Sequence, residues 1–550
     1  MNQYAQNMKG FSGKEDYYTD YEVEGDADYE QLQMQSRETR NIEQMNVFGD
    51  TIQHNSPKRT MKRLLVVILI IVLILGLATT SAFLFLERNK SNEKQSPKLL
   101  VMDEFINKPC RSQISKFTDK GSTNLGSRGR SFLVSFIQNH NDGNTTNRTI
   151  IASSETDFNL TVSLPESQNS NLISISSHTS KTATFKKLNV HYSLVPSYFT
   201  TESKAIIITT SVTSSVLSLS DYRVSSDTTT VFPMDKLSTY YIISTAAPSD
   251  RYLGSGTHFT VASMKDNTLV SIVFVADHDT KIVLQGKGYG RGDTFNLILN
   301  KYQTFQIGHN ADLTGTTIRS SNPVAVFAGN RCITVGYHGY CSMLMEMVPP
   351  TKKLDNVFIV PPNIHRFQSH VRISSVVNTD IKYTTKEITT RTHLLKNRFA
   401  EFIVREHEVG VIFSTKPVLV NSIAVSSTKA KVYGDTFMVT IPGINQYLNS
   451  YTNFVPAGYN FSFATFVFRN DSLRNLQING TNIDVDSCLF HSSFLVGIDL
   501  YNVCTASVPS GVINVETSDG SRFGFIVTGQ RKHDGHGYAG NALLTTDCET

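Results

Sequence analysis

The sequence predicts an all-β ectodomain of about four tandem β-sandwich-like units, preceded by one transmembrane helix and a disordered N-terminal tail. Three observations carry that prediction. One uncharged run, Leu64–Leu86 (LLVVILIIVLILGLATTSAFLFL), stands near the start of the chain. All six cysteines and every N-x-S/T sequon fall after it. From about residue 127 the chain turns to short Val, Ile, Thr, Tyr and Phe runs bounded by Gly, Pro, Asn or Asp, which is a strand signature.

The tail, residues 1–63, carries eight Lys/Arg and eleven Asp/Glu with no sustained period of 2 or 3.6. Such a segment cannot bury enough apolar area to offset its ordering entropy, so disorder is expected. Tyr29-Glu-Gln-Leu32 has the form of a tyrosine-based sorting signal and makes an endocytic adaptor the expected partner of the tail. Tyr17, Tyr18 and Tyr21 lie among carboxylates, where phosphorylation would add charge for an arginine-bearing reader.

At 1.5 Å per residue the Leu64–Leu86 run covers about 34 Å, enough to cross a hydrocarbon core of about 30 Å. It has no polar face, unlike a buried helix of a soluble core. Basic residues flank it on both sides, Lys58 to Arg63 before and Arg88 to Lys98 after, and lean only slightly toward an inside N-terminus. The cysteines (Cys110, Cys332, Cys341, Cys488, Cys504, Cys548) and the sequons (Asn144, Asn147, Asn159, Asn460, Asn470, Asn479; Asn89 is too close to the membrane to count) decide the orientation. Both belong to an oxidising, secretory environment. The expected location is the plasma membrane, N-terminus cytoplasmic and C-terminus extracellular.

Residues 87–126 read as a polar juxtamembrane linker, and 127–545 as the β-rich ectodomain. Within it, an aliphatic strand, a small-polar turn and a second aliphatic strand recur at 204–220, 316–329, 410–425 and 511–529. That period predicts four related units of about 100 residues: 127–230, 231–345, 346–433 and 434–545. Sandwiches are the expected packing, with a closed propeller-like association as the alternative.

Six cysteines allow fifteen connectivities. The spacing favours Cys332–Cys341 and Cys488–Cys504, each worth roughly 2–3 kcal/mol on chain-entropy grounds, which leaves Cys110 with Cys548. The blocks PVAVFAGNRC (323–332), Cys341-Ser-Met-Leu-Met-Glu-Met-Val-Pro-Pro and VFIVPP (357–362) resemble the N-terminal domain of the IgG-Fc-binding protein family. Weaker matches extend that likeness over about 127–545: RSFLVSFIQNH, LSTYYIIS, HFTVASMKDNTLVSI and RFGFIVTG…GYAGNAL. Ser342-Met343 replaces the family's Asp-His, and the closing Gly535-His-Gly-Tyr-Ala-Gly lacks its proline. The resemblance implies a mucosal or cell-surface binding protein. It carries over neither the von Willebrand D modules, absent here, nor antibody binding.

No catalytic motif is present: no G-x-S-x-G, H-E-x-x-H, Walker loop or G-x-G-x-x-G on a βαβ unit. His407-Glu408 has no second histidine after it. His533-Asp534-Gly535-His536 reads as a solvent-facing glycine turn rather than a metal site, and Asp277-His278-Asp279 as a hairpin tip. Arg291-Gly292-Asp293, in QGKGYGRGDTF, is an integrin-type motif whose plainer reading is a charged glycine turn. The ectodomain's 43 basic and 36 acidic residues give +7 without any run suited to nucleic acid. No enzyme, cofactor or metal is expected. The expected function is a type II cell-surface glycoprotein that binds an extracellular protein or glycan. A shed matrix or mucus-associated structural protein is the alternative, and an enzyme of unfamiliar type comes third.

Overall fold

The computed structural model describes residues 126–544, apart from 141–145, 165–172, 180–183, 223–224, 249–255, 276–280, 337–340, 427–433 and 470–471. The tail, the Leu64–Leu86 run and the linker to residue 125 lie outside the described residues. The described chain is all β, with short 3-10 turns and no α-helix. The plasma-membrane, type II placement is corrected on this ground: among the described residues no helix is long and apolar enough to cross a membrane. Their backbone N–H and C=O groups pair between strands rather than within a helix.

The strands form four successive groups, three of them each built on one long corner strand and the fourth on two shorter ones. The first, Ile206–Tyr222, pairs through its leading half with Gly129–Val134 and Leu160–Ser163. Its trailing half pairs with Asn147–Ser154 and Ser225–Val231. Thr317–Ile333 does the same between Ser238–Ile242 and Thr268–Val273, then Thr257–Ser263 and Ser342–Met347. Gly410–Ala424 repeats it with Asp355–Val360 and Thr379–Thr384, then Gln368–Ser375 and Met438–Thr440. The repeats expected as strand, turn and strand are thus, in three groups, one bent strand shared by two sheets.

Side chains explain the bend. Thr210, Ser320 and Ser414 each donate a hydroxyl hydrogen bond to the carbonyl two residues on (2.8, 2.6 and 2.7 Å). Pro323 and Pro417, which have no N–H to give a ladder, follow the second and third of these bends directly. Only the fourth group breaks, between Gly511–Thr517 and Phe523–Arg531. There Gly520 adopts φ +74°, and Thr517 reaches one turn further, to the Ser521 carbonyl (2.6 Å).

After each corner strand a short closing strand lies at the inner edge: Ser225–Val231, Ser342–Met347, Met438–Thr440 and Asp534–Ala539. The first packs against the second and the fourth, and the third against the same two, so the four close a cycle. The apolar cores follow that cycle. Phe132, Ile150 and Ile208 share a core with Phe327, Met343 and Met345. Phe259 and Ile272 share one with Val376 and Leu419. Val357 and Val411 meet Val467 and Val503, and Phe454 and Phe466 meet Ile151 and Leu217 of the first group. The ends of the described chain pair as well: Gly126 bridges Leu543, and the Ser127 N–H donates to the Ala542 carbonyl (2.8 Å).

Candidate functional site

Four carboxylates converge on this inner cycle, one from each closing strand or its approach: Asp227, Glu346, Asp435 and Asp534, all buried. The first closing strand is polar on the face it turns to the second. Ser225 Oγ, Asp227 Oδ2 and Thr229 Oγ1 accept the N–H groups of Met343, Met345 and Met347 at 2.9, 3.0 and 2.9 Å. The period-2 alternation of a strand puts these three side chains in line, so they take the place of a missing ladder neighbour. Asp227 also accepts from Met438 N–H of the third strand (3.2 Å). Glu346 accepts from Thr229 Oγ1 (2.7 Å) and from Thr440 N–H (2.8 Å). Burial and the neighbouring Glu346 push the Asp227 carboxyl well up, against the pull of its N–H donors; burial pushes Glu346 up to about 8.

The second pair surrounds an arginine. Asp534 Oδ1 accepts from Ser226 N–H and Oγ (2.9 and 2.8 Å), and Asp534 Oδ2 pairs with Arg531 at 2.7 Å. Asp435 Oδ1 accepts from Ser426 Oγ (2.5 Å) and Thr436 N–H (2.9 Å). Arg366 is fully buried near both carboxylates and over the Phe437 ring. Gly434 and Gly535 make room for it, because a Cβ at either would stand 2.4 or 3.0 Å from a guanidinium nitrogen. Burial raises both aspartates to about 7 and lowers Arg366 to about 10. His536, beside the Tyr459 ring, is buried and held neutral, its pKa lowered to about 3 by desolvation and by Arg531.

This arrangement is a clasp that ties the four closing strands to one another. A cavity at one end of the cycle, lined by Glu346, Thr230, Gln446, Leu354 and Leu544, has a volume of ≈ 40 Å³. That admits a few waters and no metabolite.

The residues singled out from sequence are scattered. Cys332–Cys341 and Cys488–Cys504 are disulfide-bonded, with Cα–Cα 5.0 and 5.4 Å; Cys110 and Cys548 lie outside the described residues. His140 lies within 4.8 Å of both Cys332 and Cys341 sulfurs, but the bond between the sulfurs removes them as thiolate ligands. Asn147, Asn159, Asn460 and Asn479 are exposed; Asn144, Asn470, Tyr29, Leu32 and the Asp277–Asp279 turn lie outside the described residues. Arg291-Gly292-Asp293 is no hairpin tip. It joins Lys287–Tyr289 to Thr294–Leu299 and is tied to Phe274 on both sides, with the Asp293 carboxylate accepting from Gly290 N–H (2.9 Å). Asp534 and His536, expected in a solvent-facing turn, are instead fully buried in the fourth closing strand.

Sequence reasoning missed Asp227, Glu346, Arg366 and Asp435. A signal was present: Asp227-Thr228, Asp435-Thr436 and Asp534-Gly535 each carry an Asp whose Oδ1 accepts the next N–H (2.9, 2.9 and 2.8 Å). Asp227 and Asp534 stand early in a strand that follows a repeat, and Asp435 stands just before one.

A family model described as IgGFc binding protein matches residues 227–529, from the first closing strand to the fourth corner strand. The human IgGFc-binding protein is 25% identical over 345 residues, which is 61% of this chain and 6% of that protein. The major pilin of Streptococcus pyogenes aligns over 55% of this chain and 98% of its own at 7% identity, with a TM-score of 0.14. A bacterial ice-binding adhesin aligns over 53% and 90% at 11% identity, with a TM-score of 0.08. Neither score supports an argument about the fold.

Proposed function

This chain belongs to the IgGFc-binding protein family, and from that premise we propose that its β-rich body is an extracellular, non-enzymatic module that binds a protein ligand. The observation that carries this reading is the extent of the family match, 227–529, over a body whose inner cycle is filled. With a cavity of ≈ 40 Å³ at one end of that cycle, too small for a metabolite, the outer loops and sheet edges offer the recognition surface. The chain spans 6% of the human relative's length, so the partner in that protein's name serves here only as a first probe.

The remaining expectations fit the same reading as proposals. The exposed asparagines of the sequons carry N-glycans, and the four strand groups are repeat units with boundaries near 230, 345 and 433. Cys110 pairs with Cys548; the adjacency of Gly126 and Leu543 favours that bond, because it brings the two chain ends of the β body together. The test is to secrete the chain from a eukaryotic cell, map its glycopeptides and disulfides, and titrate it with human IgG Fc and with other secreted proteins. Saturable binding of one of them by the glycosylated, oxidised chain supports the proposal. Free thiols, bare asparagines and no saturable ligand would defeat it.

A further inference from the structure

We infer that the outer end of the third strand group is a binding site for a sulfated polysaccharide, formed by Lys396, Arg398 and Lys416. This deepens the extracellular binding reading and rests on it. Three backbone segments meet there. The Lys396 N–H donates to Asn378 Oδ1 (2.8 Å), and the Lys416 N–H to Thr379 Oγ1 (3.0 Å). Arg398 stands opposite Ser375 in the ladder, and the Asn397 N–H donates to the Ser375 carbonyl (2.8 Å). All three cationic side chains are exposed. None has an ion-pair partner among the described residues, and the acid closest in the ladder, Asp380, is engaged by His393 at 2.7 Å. Leu395, 54% exposed, precedes Lys396 in the same turn, where its carbonyl accepts the Arg398 N–H (3.2 Å).

The ligand class follows from what the site offers. Exposed point charges on long side chains suit a linear polyanion better than a globular protein, whose binding energy concentrates in buried aromatic and arginine anchors. Sulfate groups match both the arginine fork and the lysine ammonium. The site also stays accessible in a glycosylated molecule: no sequon occurs between Asn159 and Asn460, so the second and third groups carry no N-glycan acceptor.

The experiment uses the full chain, an immobilised heparin oligosaccharide, and hyaluronan, which has carboxylates and no sulfate. The parent binds heparin in a salt-sensitive way and hyaluronan far more weakly. The K396A/R398A/K416A variant binds heparin about tenfold more weakly, while the K265A/K532A control, which removes two exposed lysines elsewhere, binds as the parent does. Equal binding by the triple variant and the parent overturns the inference. So does an equal loss in the control, or hyaluronan binding as tight as heparin binding. If every acidic polysaccharide fails while a protein ligand binds, this inference falls and the family-based reading stands.

Discussion

The inner and outer ends of the four strand groups obey different rules. The inner ends repeat: the trailing half of a corner strand, a closing strand and a buried carboxylate. A tyrosine also recurs. Tyr241 accepts the Ser238 N–H (2.8 Å) and donates to the Val324 carbonyl (2.7 Å), and Tyr451 does the same with Leu448 (2.9 Å) and Phe523 (2.5 Å). The outer ends do not repeat. The second group carries the extra hairpin Ile282–Leu284 and Lys287–Tyr289, and the third an exposed basic end. Repetition where strands meet and variety where they face solvent is the pattern of a scaffold that presents changeable surfaces.

The largest expected effect breaks the inner end. Arg366→Ala removes the buried guanidinium that attracts Asp435, leaves Asp534 to Arg531, and should cost about 3–5 kcal/mol in urea unfolding. A loss under 1 kcal/mol would mean that the clasp is not what holds the third and fourth groups together. Replacing both members of Cys332–Cys341 should cost about 2.5 kcal/mol by loop entropy, and of Cys488–Cys504 about 3 kcal/mol for its longer loop.

The next effect is set by pH. Glu346 and Asp435 have folded pKa values of about 8 and 7, raised from 4.5 and 3.8. The folded state therefore holds protons that the unfolded state has released between about pH 4 and pH 8. Stability is full below that window and falls as pH rises through it, by up to about 1.4 kcal/mol per pH unit for each proton. Melting should be higher at pH 5.5 than at pH 8.5, and Glu346→Gln should flatten the difference. Tyr241→Phe and Tyr451→Phe should each cost about 1 kcal/mol; unequal losses would show that the repeat is one of shape only. At the outer end, Glu387→Ala breaks its exposed pair with Arg405 (3.1 Å), leaves Arg405 to the buried Glu408, and should cost less than about 1 kcal/mol.

The contrast also explains what could be read from the sequence. Strand content was legible because corner strands such as PVAVFAGN and PVLVNSIA are aliphatic and bounded by Ser, Thr and Pro. That each is one strand serving two sheets was not, since a small-polar interval reads as a turn until its hydroxyl is seen capping a bend. The buried carboxylates were illegible for a related reason. Asp next to Thr or Gly has the local chemistry of a loop, and only the meeting of four distant strands excludes water from it. His536 shows the same point: a Gly-His-Gly interval is solvent-facing by composition and buried by topology.

The central claim is that the four groups share one closed inner cycle and unfold as one body. Native-state hydrogen exchange on the full chain tests it most directly. Amides of 225–231, 342–347, 438–440 and 534–539 should exchange together, through a single opening with the free energy of global unfolding. If 438–440 or 534–539 exchanged through an opening of its own, well below that free energy, the cycle would be open and the account wrong.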